Sequence, residues 1–328
     1  MYLKIIDFAK YTSLKIGSKL PVWILEKSDE VAFSALDSKQ IWEELDKIQN
    51  NFIASKDVAY KKSSINLPNL AKALAKSHTK PFTKTQDFST QKPACFTCIG
   101  NGYNLLVSPN AKRLTMLSSE FDYISQKEKN IIEVGGKTSS SALFRFCKEQ
   151  NLGGLEFLKA LPGSVGGLVK MNAGMKQYEI KNTLLEVCVN GIWREDFTLS
   201  YRTSDISGII SAARFSLKNG FDSALLEQFQ AMRKSHPKEP SCGSCFRNPN
   251  GDYAGRLLEA VGLKGVRQNG VGFSPIHANF LVNFSHKLEG DCAKNASFTD
   301  ALAMITHAQN LVQSKFNIEL IPEVQIIT

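Results

Sequence analysis

Two glycine-bearing stretches limit what this chain can become: CIGNGYNLLV at residues 98–107 and LPGSVGGLVKMNAG at 161–174. In the first, an apolar strand runs into Gly100-Asn101-Gly102 and leaves through Asn104 into a second apolar strand. In the second, Pro162-Gly163 sets a turn and Gly166-Gly167 follows. Glycine lets a ligand or another segment approach the backbone where a Cβ would block it. Consecutive amides left uncovered in this way form a concavity for anions, and a diphosphate suits it. Neither stretch reads G-x-G-x-x-G between a strand and a helix, so the doubly wound dinucleotide fold is not indicated. Tight turns alone would account for one such cluster; two together favour a phosphorylated ligand.

Periodicity around these loops predicts mixed α+β structure. Ile41, Leu45, Ile48 and Phe52 form one helical stripe, and a strand is expected at 130–136 with a helix at 141–150. Asn190-Gly191 between alternating residues signals a tight hairpin. Helices are expected at 222–235, 253–261 and 299–316, the last opened by the capping pattern Ser297-Phe298-Thr299-Asp300. HANFLVNF reads as a half-buried strand with Ala278, Phe280, Val282 and Phe284 inward. A closing strand is expected across 318–327. Residues 61–93 differ in texture, with seven lysines, one acid and three prolines, and read as an insertion with one short helix from Pro68. The division expected is 1–217, 218–317 and a final strand at 318–328.

The 328 residues carry a net charge of +9, which suits anionic partners. No run approaches a membrane span, and MYLKIIDFAKYTS lacks the apolar core and cleavage site of a signal peptide. Seven cysteines without such a signal read as reduced thiols in a cytoplasm. Nucleic-acid binding through the lysine-rich segment is the rival from another class, but no recognised module accompanies it.

Two C-x-x-C pairs stand at Cys95/Cys98 and Cys242/Cys245. Zinc sites of this kind bring their pairs within about 15–20 residues, and these lie far further apart, so no metal is expected. Within SCGSCFRNP, the hydroxyl of Ser244 has the better claim to chemistry. Lacking an adjacent base it is a poor nucleophile, so its natural role is to give a proton to a developing carbanion or enolate. In YRTS, Arg202 offers a planar fork for a carboxylate or phosphate, or is simply a surface arginine. Glu323, in an apolar closing segment, is either a paired core charge or a functional group.

Taken in order, these stretches resemble one family, the UDP-N-acetylenolpyruvoylglucosamine reductases. The resemblance runs through TSLKIG at 12–17, GNGYNLLV at 100–107, LPGSVGG at 161–167, MNAG at 171–174 and YRTS at 201–204. It continues through GSCFRNP at 243–249, HANFLVN at 277–283 and PEV at 322–324. It implies an FAD-binding region of two α+β subdomains on a flavin scaffold like that of vanillyl-alcohol oxidase, followed by a smaller α+β substrate domain. It also implies two cofactors, FAD and NADPH, and a nucleotide-sugar substrate. By resemblance Ser244 is the proton donor, and Arg202 and Glu323 hold and polarise the substrate carboxyl. Two bare carboxylates in contact repel, so Glu323 would carry a proton or act through Arg202. Tyr201 and Asn248 would bind the sugar nucleotide. Gly100, Asn101, Gly102, Tyr103, Asn104, Pro162, Gly163, Ser164, Gly166, Gly167 and Asn172 would bind FAD. Asn101 and the bulky Tyr103 depart from the family's loop. Another oxidoreductase on the same flavin scaffold is the nearest rival; Ser244 and Glu323 oppose it, because abstracting hydride from an alcohol needs a base.

Overall fold

The computed structural model describes residues 1–54, 64–77, 96–285 and 296–328. Of the lysine-rich insertion only 64–77 is therefore included, and it holds the expected short helix, Leu67–Ser77; the rest of 61–93 lies outside the described residues, as does Cys95. The chain forms two compact units. The first comprises Met1–Ile5, Pro21–Gly100 and Lys112–Leu226, the second Ile6–Leu20, Asn101–Ala111 and Glu227–Thr328.

The first unit holds a five-stranded antiparallel sheet in the order Ile192–Arg194, Leu184–Val189, Ile210–Ser216, Ile131–Gly135, Ile124–Glu128. Its hairpin forms as the sequence predicts. Asn190 and Gly191 take φ of 51° and 80°, the pair of positive values that matches the twist of the flanking strands. The helix Ser140–Glu149 starts at the hydroxyl of Ser139, which accepts from the Ala142 amide at 3.1 Å, and it buries Leu143, Phe144 and Cys147. A second sheet pairs Lys19–Leu25 and Thr97–Cys98 in parallel with Leu114–Leu117. Trp23, Phe33, Trp42 and Phe121 are fully buried in the core beside it. Each large aromatic removes about 150–250 Å² from water, and the Trp42 indole N–H donates to the Leu36 carbonyl at 2.7 Å.

The second unit is built on an antiparallel sheet ordered Ser241–Ser244, Phe280–Asn283, Val271–Phe273, Arg267–Gln268. The long helix Phe298–Phe316 closes the core with Ala301, Met304, Ile305, Ala308 and Val312. Its predicted capping box is present, and Asn317 ends it in the left-handed conformation at φ 54°. Two expectations need correction here. The strand Phe280–Asn283 is central and buried on both faces, so Asn279 and Asn283, each 4% exposed, point into protein where alternation had put them outside. The closing strand is also shorter than expected. Only Gln325–Ile327 pairs, in parallel with Leu105–Val107; Pro322, which has no N–H to offer a ladder, makes an isolated bridge to Phe246.

Candidate active site

In the first unit Gly100 lies against the second glycine region. A Cβ on Gly100 would stand 2.3 Å from Ser164 Oγ, so only glycine allows this approach. Gly163 has φ of 155°, and its carbonyl accepts from the Ser140 amide at 2.9 Å. The next segment is a short helix, Val165–Lys170. The Gly166 amide, expected from the sequence to be uncovered, is engaged: it donates to the Gly136 carbonyl at 2.8 Å, beside Val165, which donates to the Thr138 carbonyl at 2.9 Å. Gly166 is therefore small because the helix lies against backbone; a Cβ there would sit 3.1 Å from the Ile210 carbonyl oxygen. Gly167 is exposed, and a Cβ on it would meet nothing closer than Ser164 Oγ at 3.4 Å.

Asn172, in the same loop, is fully buried. Its amide donates to Glu179 Oε2 and to the Ser200 carbonyl, each at 3.1 Å, and its Oδ1 accepts from the Lys181 amide at 3.1 Å. These bonds anchor the hairpin of Leu199–Ser200 with Thr203–Ser204, whose tip is Tyr201-Arg202. Arg202 takes φ of 56°, uncommon for a residue with a long side chain. Its guanidinium donates to the Gly174 carbonyl at 2.9 Å and lies 5.2 Å from the centre of the Tyr201 ring. The MNAG stretch thus shapes and orients the YRTS turn. Tyr201 itself is exposed.

The second unit gathers Ser244, Glu323 and Asn104. Pairing runs from Ser241 with Val282 to Ser244 with Phe280, three steps on one strand against two on the other. The extra residue is absorbed at Gly243, φ 84°. This bulge turns both Cys242 and Cys245 into the core while leaving Ser244 half-buried. Among the described residues no hydrogen bond engages the Ser244 hydroxyl, and a Cβ on Gly243 would meet nothing within 4 Å, so there is room beside it. The Cys245 carbonyl accepts from the Glu323 amide at 2.8 Å, which sets Glu323 next to the serine's segment. Asn104, at φ 59°, donates to the Glu323 carbonyl at 2.9 Å while its own carbonyl accepts from Gln325. Asn248 Oδ1 accepts from the Ala254 amide at 3.1 Å, at the start of the helix Ala254–Ala260.

Burial holds both thiols in the protonated form, and the nearby Glu323 charge adds to it. The Cys242 thiol is pushed up to about 12 and that of Cys245 is raised as well. They are packing groups, inert as nucleophiles. Among the described residues no three His, Cys, Asp or Glu side chains are grouped as a metal site requires. Among the described residues, two buried polar atoms of this unit have no protein partner, Ser13 Oγ and Arg247 Nε. Ser13 donates its amide to the Gly102 carbonyl at 3.0 Å, so its hydroxyl sits beside the GNGYN loop. Gly102 is held at φ 76° against Tyr11, and Tyr103 is exposed. An orphaned hydroxyl beside that loop fits a polar, phosphorylated cofactor.

Sequence reasoning passed over Asn279. Its Oδ1 accepts from the Phe246 amide at 3.0 Å and its Nδ2 donates to the Phe246 carbonyl at 2.8 Å. The only local signal was an asparagine inside an otherwise apolar run.

Residues 235–327 match the family described as the UDP-N-acetylenolpyruvoylglucosamine reductase C-terminal domain. The UDP-N-acetylenolpyruvoylglucosamine reductase of Helicobacter hepaticus is 44% identical across the whole of both chains. That of Helicobacter pylori strain 26695 is 38% identical over 98% of each. The crystal structure of UDP-N-acetylenolpyruvylglucosamine reductase from Thermus caldophilus superposes with a TM-score of 0.67 over all of both chains at 24% identity, a likeness of fold.

Proposed function

The chain belongs to the UDP-N-acetylenolpyruvoylglucosamine reductase family, and from that premise we propose that it reduces the enolpyruvyl ether of UDP-N-acetylglucosamine to UDP-N-acetylmuramate, a step in making peptidoglycan precursors. FAD, when bound, would supply hydride taken from NADPH to the vinyl carbon of the ether. The glycine loops at 100–104 and 162–167, on a flavin scaffold like that of vanillyl-alcohol oxidase, would hold it, with Ser13 offering a further hydroxyl.

The chain's own residues handle the charge that follows. Addition at the vinyl carbon leaves an electron pair on the neighbouring carbon, conjugated with the substrate carboxylate. Ser244 gives that carbon its proton: the Oγ–H bond breaks, a C–H bond forms, and the oxygen recovers a proton from solvent. Arg202 binds and polarises the carboxylate, with Glu323 carrying a proton or acting through Arg202, so the developing charge meets fixed donors; one such donor is commonly worth about 3–4 kcal/mol. Tyr201 and Asn248 bind the sugar nucleotide. The net charge of +9 suits three anionic ligands.

The observation that carries this reading is the half-buried hydroxyl of Ser244, unengaged among the described residues, on a segment bonded directly to that of Glu323. The test is optical. The purified protein should be yellow, bleach on NADPH and recover on UDP-N-acetylenolpyruvoylglucosamine. A colourless protein that takes up no FAD would refute the cofactor assignment, and bleaching without recovery would refute the substrate.

A further inference from the structure

Ser244 is joined to the Glu323 segment through the backbone of Cys245-Phe246, and that backbone is gripped from both edges. On one side the Cys245 carbonyl accepts from Glu323, and the Arg247 amide donates to Ile321 at 2.9 Å. On the other side everything comes from one residue. The Cys245 amide donates to the Asn279 carbonyl at 2.7 Å. The Asn279 side chain then pairs with both polar groups of Phe246, accepting at 3.0 Å and donating at 2.8 Å. The side-chain amide thus continues the ladder past the point where regular pairing of Ser244 with Phe280 ends.

Asn279 is itself fixed. It is 4% exposed, and its amide donates to His277 Nδ1 at 3.2 Å. Asparagine suits this position because it presents one acceptor and one donor side by side, matching the N–H and C=O of a facing peptide. Aspartate has the same shape but would set a lone pair against the Phe246 carbonyl.

We infer that Asn279 is a positioning residue, whose amide sets the place of the Ser244 hydroxyl relative to Glu323. The inference rests on the reading of Ser244 as proton donor. It requires that disturbing Asn279 act through Ser244, on the protonation step alone. A displacement of about 1 Å at a reacting group costs about 10²-fold in rate.

The experiment compares half-reactions of the FAD-loaded enzyme by rapid-mixing absorbance. Asn279→Asp should bind FAD with wild-type affinity in a fluorescence titration and bleach with NADPH at the wild-type rate. Recovery on substrate should slow about 10²-fold, with a larger solvent deuterium isotope effect because proton delivery has become limiting. In a Ser244→Ala background the same substitution should change recovery by less than about twofold, since coupled residues are non-additive. Equal slowing of both half-reactions, or an undiminished effect without Ser244, overturns the inference. If Asn279→Asp does not take up FAD, the uncharged Asn279→Ala goes through the same comparison; failure of both to load overturns the inference too, because a positioning role leaves the fold intact. A wild-type enzyme that substrate cannot reoxidise removes the functional reading and this inference with it. A wild type that works, matched by Asn279→Asp at every step, removes the inference alone.

Discussion

Replacing Asn172 separates two roles that the sequence runs together. Sequence reading sets it among the FAD contacts; the structure buries it completely and engages it three times, with Glu179, the Ser200 carbonyl and the Lys181 amide. A bond to a charged acceptor contributes about 1.5–3 kcal/mol and a neutral one about 0.5–1.5 kcal/mol. Asn172→Gly therefore should lower stability by about 2.5–6 kcal/mol. Asn172 also sits at φ 40°, where a non-glycine side chain short of local hydrogen bonding costs about 1 kcal/mol more. Asn172→Ala should then be worse than Asn172→Gly by that amount. At about 2–4 °C per kcal/mol for a unit of this size, Asn172→Ala lowers Tm by roughly 10 °C or more. Calorimetry of the FAD-free protein is the assay, because a cofactor contact contributes nothing there. An apo Tm within about 2 °C of wild type, with the whole loss appearing as weaker FAD binding, would refute the internal role. So would Ala and Gly variants of equal stability, which would dismiss the backbone part of the argument.

Other tests follow from the same geometry. Ser244→Ala should leave bleaching by NADPH intact and slow recovery by about 10²-fold or more; equal loss in both half-reactions would refute the proton-donor role. Arg202→Lys keeps the charge but loses the fork, so it should raise KM for substrate without altering FAD affinity; an unchanged KM would separate Arg202 from the carboxylate. Native protein at pH 8 should leave Cys242 and Cys245 unlabelled by a thiol reagent until denaturant is added, given their buried, protonated state. The thiol Cys242, with its folded value raised to about 12, contributes stability that is fully present below about pH 9 and is lost as pH rises beyond it, because the unfolded thiol ionises first. His236 and His277 are both lowered by burial, so their contribution is present above about pH 6.5 and lost on acidification. Unfolding free energy against pH should therefore be flat between those limits and fall on both sides; a rise above pH 9 would contradict the assignment.

What could be read from the sequence depended on how local its physical cause is. The Asn190-Gly191 hairpin was legible because both positive dihedrals belong to the two residues that signal it. The helix Phe298–Phe316 was legible because Ser297 and Asp300 satisfy each other's amides within one turn. The segment Gly163 to Gly167 was harder. Glycine announces that something comes close without saying what, and the partner of Gly166 turned out to be the carbonyl of Gly136, thirty positions earlier in the chain. The internal bonds of Asn172 and Asn279 were hidden for a related reason. A side-chain amide that completes a distant peptide's hydrogen bonds looks, in one dimension, like any polar residue, and only burial distinguishes it. The position of Glu323 has the same origin. The apolar run around it suggested a strand, but Pro322 interrupts the ladder, and backbone bonds to Cys245 and Asn104 hold the segment in its place. Ser244, Glu323 and the Arg202 turn are thus each fixed by non-local bonds to backbone amides or carbonyls. Those supports tolerate little change of side-chain length, so Asn172→Gln and Asn279→Gln should be nearly as damaging as loss of the amide.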